Sequence, residues 1–315
     1  MAFKKANLPL VELVVVLFMG VIAFAAHLTS MPVVLFPELA ALSHDVLVRP
    51  TGEWARQPAQ LVLAPALAAA FGLFCTRHLH YAVWNILLIV VVSLAIIRLL
   101  RCSMSPAISA GVLPLVLHER SWFYPMAIFL DLGLLALILI VRQRWPSGRS
   151  EPAANQASDS QIIDALEAPP QSRLWWVAFL SLVTVVGAAA QFTGLRFLLF
   201  PPLIVMSYEL FGHPTVPGWM KRPALLPIVC LITGGTGLIA VRMIHPAFLA
   251  VVITMLCCFG VLRLFELHMP PALAIGIIPF VIDHPDAQYA ASVFLGTAAL
   301  TLFYLGCGRI RKMET

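Results

Sequence analysis

Charge is what this sequence has least of. Only 11% of its 315 residues are Asp, Glu, Lys or Arg, while 61% are apolar. A soluble protein covers its surface with roughly 25% charged residues, so a water-soluble globule is excluded. Catalytic groupings are also lacking. There are no paired carboxylates, metal cluster or nucleophile–base set at useful spacing, which argues against an enzyme and gives no reason to expect a cofactor or a metal. The six cysteines show neither metal-ligand nor redox spacing and read as small packing residues. "TGGTG", Thr233 to Gly237, has no lysine or strand-to-helix setting for a phosphate loop. Small residues at helical spacing instead permit close helix contact in a membrane. The net charge of +5 comes from basic residues at the ends of apolar runs. It speaks of membrane topology, not of nucleic acid.

What the sequence has is long apolar runs. They cover 8–28, 60–74, 81–100, 121–141, 174–192, 224–241, 246–264 and 289–305. Several reach the ~20 residues that cross a bilayer core, so the fold class is an all-α polytopic membrane protein. The first run follows Lys4 and Lys5 and ends near "AFAA", like a signal peptide. A similar run opens the second half, so the first is expected to be retained as a span.

The chain is written twice. Phe36-Pro37 matches Phe200-Pro201, Ser43 matches Ser207, Asp45 matches Glu209 and Pro50 matches Pro214, each 164 positions on. After a one-residue insertion the offset is 165. It pairs Trp54 with Trp219, Gly72 with Gly237, Arg98 with Arg263, Pro106 with Pro271, Gly111 with Gly276, Pro114 with Pro279 and Tyr124 with Tyr289. The expected domains are a first transmembrane repeat over 1–142, a polar linker over 143–173 and a second repeat over 174–315. Within the linker, "DSQIIDALEA" has the pattern of a short amphipathic helix.

Each half holds six apolar segments, four long and two short. The short ones begin with proline: 37–48 and 106–117, then 201–211 and 271–282. Basic residues mark the cytoplasmic ends of spans. They cluster at Lys4 and Lys5, at Arg142, Arg144 and Arg149, and at Arg309, Arg311 and Lys312. Both termini and the linker are therefore expected in the cytoplasm, with the two six-segment repeats parallel. Arg77 and Arg242 fit this least well, because it places them outside.

Proline suits the first turn of a helix, where its missing N–H has no partner in any case. A helix of about 12 residues is only ~18 Å long, short of the ~30 Å core. The chain before it must enter as non-helical backbone, which survives only inside protein or beside a wet cavity. Residues 29–36 and 193–200 are expected to be such stretches. The helix starts would then meet near mid-membrane, each with free N–H groups and a partial positive charge suited to a small anion. The alternative is an ordinary set of proline-kinked spans.

"FPPLIVMSYELFGHPTVPGWMKRPALLPIVCLITGGTGLIAV" from Phe200, followed by "ELHMPPALAIGIIPF" from Glu266, resembles the HPP family of integral membrane proteins. That family is named for a His-Pro-Pro motif. Here Met269 stands in the place of its histidine, with His268 one residue earlier, before Pro270 and Pro271. The resemblance implies a transporter or channel of a bacterial inner membrane, carrying a small anion such as nitrite. A scaffold or sensor without transport is the alternative. The expected substrate contacts are Ser43, Ser105, Pro106, Ser207, Tyr208, His268, Pro270 and Pro271. His268 is the cation among them. Asp131, mid-span, is a proton relay, a partner for a cation, or a protonated or hydrogen-bonded structural carboxyl in the bundle interior. Membrane lipid is an expected partner, and a homo-oligomer remains open.

Overall fold

The computed structural model describes residues 8–50, 52–144, 170, 175–213 and 222–313. The linker over 143–173 and its amphipathic stretch lie almost wholly outside the described residues. Among those described there are helices and turns and no strand. The helices are α1 (Leu8–Thr29), α2 (Glu38–Val48), α3 (Glu53–Arg56), α4 (Pro58–His78), α5 (Val83–Leu99), α6 (Pro106–Leu117) and α7 (Phe123–Arg144). They continue with α8 (Trp175–Thr193), α9 (Pro201–Gly212), α10 (Leu225–Met243), α11 (Ala247–Leu264), α12 (Pro271–Ile277) and α13 (Ala287–Met313). Seven of them, α1, α4, α7, α8, α10, α11 and α13, are long and apolar enough to cross a membrane. This is the composition of a polytopic membrane protein. The eighth expected long span, α5, has 17 residues, at the lower limit for crossing.

The short helices form the centre. Every residue of α9 and α12 is buried, as is every residue of α2 and α6 but the last. The long helices surround them and leave one apolar side exposed, as lipid-facing helices do. α2 packs on α12 and α9 on α6, while α1 packs on α11 and α5 on α8. The first short helix of each half thus lies against the second short helix of the other.

The prolines within the short helices raise an accounting problem. Pro114 has no N–H to offer the carbonyl of Ala110, and Pro279 has none for Ile275. Both carbonyls are buried, where an unpaired acceptor is costly. The Tyr124 hydroxyl donates to the Ala110 carbonyl at 2.8 Å, and the Tyr289 hydroxyl donates to that of Ile275 at 2.6 Å. In each half, a tyrosine from the next long helix restores the bond that proline removes. Glycine makes a second recurrent contact. A Cβ on Gly72 would lie 1.8 Å from the Gly111 oxygen, and one on Gly237 would lie 1.9 Å from that of Gly276. So α4 meets α6, and α10 meets α12, backbone to backbone.

The chain before each short helix departs from helix in two ways. α5 and α11 end on left-handed residues, Arg101 and Glu266, both at φ 52°. Non-helical chain then runs through 102–104 and 267–269 into α6 and α12. Ahead of α2 and α9, the expected irregular stretches contain 3₁₀ turns, Pro32–Val34 and Arg196–Leu199. Their shielding is also incomplete. Thr29, Ser30, Thr193 and Gly194 are exposed, and full burial begins only at Leu35 and Leu198. The local turn bonds explain this, since they satisfy much of the backbone before the protein encloses it. The segment expected over 271–282 also closes early, with a 3₁₀ turn at Ile278–Phe280.

Side chains tie the ends together. Arg142 donates to the Leu47 carbonyl at 2.5 Å, and Gln143 donates to those of Pro50 and Ala55 at 3.0 and 3.1 Å. The end of α7 thereby holds the carbonyl end of α2, where a cation complements the helix dipole. At the opposite end, Arg77 lies 5.9 Å from the Trp122 ring centre and Arg242 donates to the Pro285 carbonyl at 2.7 Å. These two arginines, the poorest fit to the expected topology, are thus anchored on the loops before α7 and α13.

Candidate functional site

Four short helices meet at one small pocket of about 20 Å³. That is room for about one water molecule, which needs ~10–15 Å³. α2 contributes Glu38, Ala41 and Asp45, and α9 contributes Pro202, Val205 and Glu209. Both sets follow i, i+3, i+7 spacing, so each forms one helix face. Pro106 opens α6 on the same pocket, and Pro270 and Pro271 open α12 there. The helix starts do converge, but side by side. Glu38, in the first turn of α2, meets Ser109 of α6, and Asp45 lies two turns on, ~10 Å along the axis.

The pocket is acidic. Glu38 is 2% exposed, and Asp45 and Glu209 are each 8% exposed. The Ser109 hydroxyl donates to Glu38 Oε1, while Oε2 is buried without a hydrogen-bond partner. The Ser105 hydroxyl donates to Glu209 Oε1 at 3.1 Å. Asp45 Oδ1 lies 3.2 Å from His44 Nδ1 and 3.7 Å from His268 Nε2, and the two imidazole centres are 5.7 Å apart. Among the described residues, neither lysine nor arginine lines this pocket. Three carboxyls, two imidazoles and two hydroxyls can exchange protons, but among the described residues no three of the acidic and imidazole groups are placed to hold a metal ion. An anion can share the space only with carboxyls that carry protons, since ionised ones are acceptors alone.

Of the residues expected from sequence, Pro106, Pro270 and Pro271 line the pocket. Ser105 and His268 reach it through Glu209 and Asp45. Ser43 and Ser207 do not line it; their hydroxyls donate to the Ala40 and Leu203 carbonyls of their own helices at 3.3 and 2.6 Å. Serines in membrane helices often bond back in this way. Tyr208 faces a second cavity, described below. Asp131 is 6% exposed with Oδ2 unpaired, but it is not among the pocket residues. Sequence reasoning missed Glu38 and Ser109. Asp45 and Glu209 stood out only as a matched pair. The available signal was the repeated spacing of Glu38-Ala41-Asp45 and Pro202-Val205-Glu209 on segments already recognised as short helices.

Comparison with protein-family models, curated proteins and solved structures finds no match to this chain. The HPP resemblance therefore rests on the residues quoted for it.

Proposed function

We propose that the chain is a proton-coupled secondary transporter, built as two parallel repeats around the four short helices. In this reading Glu38, Asp45 and Glu209 take up and release protons as the substrate passes. The observation that carries it is the convergence of three buried carboxyls on one water-sized pocket, with Glu38 Oε2 unpaired. Carboxyls at membrane depth are costly and mark ion or proton pathways. Their position where short helices begin and end fits the discontinuous-helix design of transporters. His44 and His268 place two imidazole rings beside Asp45, at 3.2 and 3.7 Å. Basic clusters at both termini and at the end of α7 support a cytoplasmic location for all three.

The acid-rich centre bears on the substrate. Loading the carboxyls with protons turns them into donors, and only then does a small anion such as nitrite have partners there. Anion transport by this chain is then obligatorily proton-linked, whereas a cation exchanges with the protons. Both cases can be tested in protein-free and protein-containing liposomes with an internal pH indicator. Gradients of nitrite, formate, sodium and potassium are applied in turn. One of these ions should drive proton movement that depends on the protein and is lost in Glu38→Gln. The absence of proton movement under every gradient, or its persistence in Glu38→Gln, would count against the reading.

A further inference from the structure

A second cavity, of about 190 Å³, opens between the last turn of α5, the start of α8 and the later part of α9. Its lining includes Leu94, Ile97, Arg98, Ser103, Trp175 and Tyr208. The volume is well above the ~10–15 Å³ that one water requires. Two hydrogen-bond donors on this wall have no protein partner among the described residues. Arg98 is exposed and forms no hydrogen bond or ion pair there, and the Tyr208 hydroxyl forms no hydrogen bond. Tyr208 is only 3% exposed, and a buried tyrosine hydroxyl normally finds a partner. Its ring is held edge-on by Trp175 and Phe179, at centroid distances of 5.0 and 6.1 Å.

The corresponding donors at the matching positions, Arg263 of the second half and His44 of the first, have carboxylate partners. Arg263 matches Arg98 and is gripped by Glu12 of α1 through both carboxylate oxygens, with Nε to Oε1 at 3.3 Å. His44 matches Tyr208 and lies 3.2 Å from Asp45. The residue that matches Glu12 in the second half is Trp176, which has no carboxylate to offer. At one of the two corresponding positions a protein carboxylate thus meets each donor. At the other, Arg98 from the first half and Tyr208 from the second present a guanidinium and a hydroxyl to an open cavity.

We infer that this cavity binds an oxyanion, held by the Arg98 guanidinium and the Tyr208 hydroxyl. A guanidinium suits two oxygens of a carboxylate or phosphate. Either a lipid phosphate headgroup or a soluble oxyanion supplies that chemistry. The inference does not depend on proton coupling, because it concerns binding and not flux.

The test is thermal unfolding of the purified full-length protein in a non-ionic detergent. One arm adds phosphatidylglycerol, with phosphatidylcholine as control. The other adds phosphate, nitrite or formate, with chloride at matched ionic strength. A ligand that binds the folded state raises the midpoint with concentration. The wild-type midpoint should rise selectively in at least one arm. Arg98→Gln should weaken that apparent affinity tenfold or more, as expected for a charge-assisted bond. Tyr208→Phe, which preserves the ring packing, should weaken it about 2–10-fold, and keeps the test valid if Arg98→Gln fails to fold. A rise with phosphatidylglycerol alone assigns a lipid headgroup, and a rise with soluble ions assigns a solute. No selective rise in either arm, or wild-type affinity in the variants, overturns the inference.

Discussion

At the scale of single residues, the site turns on what surrounds each carboxyl. Asp45 has two imidazoles within reach, at 3.2 and 3.7 Å. His268 was legible as a polar residue beside a helix start, and the expectation was that its charge would attract an anion. Its position 3.7 Å from Asp45 gives that charge an internal counterpart. His268→Ala and Asp45→Asn should therefore each slow transport. Because the two groups act as one pair, the double variant should resemble Asp45→Asn alone. Additive losses in the initial rates of the two single variants would show that the residues act independently. Glu38 was not legible, since an acidic residue in a helix's first turn is ordinary by itself. Only the three-dimensional meeting with Ser109, Pro202 and Ala274 makes it unusual.

At the scale of elements, the sequence was more informative. Four proline-started short segments proved to be four short buried helices, and Pro106–Leu117 matches its expected bounds. The 3₁₀ turns were not legible, because they depend on how α1 and α8 release the chain. The later prolines, Pro114 and Pro279, gave no hint of the tyrosines that compensate for them; that pairing spans two elements. It yields a sharp expectation. Tyr124→Phe should destabilise by about 1–3 kcal/mol, the cost of an unpaired buried acceptor. Adding Pro114→Ala should recover much of that loss, because alanine returns the N–H to the Ala110 carbonyl. Thermal unfolding of the two single variants and the double variant gives the coupling, and a strictly additive result would refute the compensation. The glycine contacts predict a larger effect. Gly237→Ala drives a methyl onto the Gly276 carbonyl, and overpacking costs ~1–3 kcal/mol even where side chains can yield. The obstacle here is backbone. The yield of monodisperse protein by size-exclusion chromatography should fall well below that of Gly235→Ala, whose Cβ meets nothing within 4 Å.

At the scale of the whole molecule, the repeated motifs in the sequence pair residues by position but do not say which ones touch. Asp45 corresponds to Glu209, yet each finds partners before the other half's second short helix: His268 for Asp45 and Ser105 for Glu209. No offset in the sequence contains that crossing. The result is one shared pocket, lined by all four short helices, whose carboxyls come from both halves. The central claim is that these carboxyls couple substrate movement to protons. It is tested most directly by neutralising them together, in Glu38→Gln/Asp45→Asn/Glu209→Gln, and measuring the ion that drives proton movement in the wild type. Substrate exchange and proton flux are then recorded in the same liposomes. The account predicts that proton flux falls to the protein-free level, whether or not substrate exchange survives. Proton flux of wild-type size in the folded triple variant would contradict it.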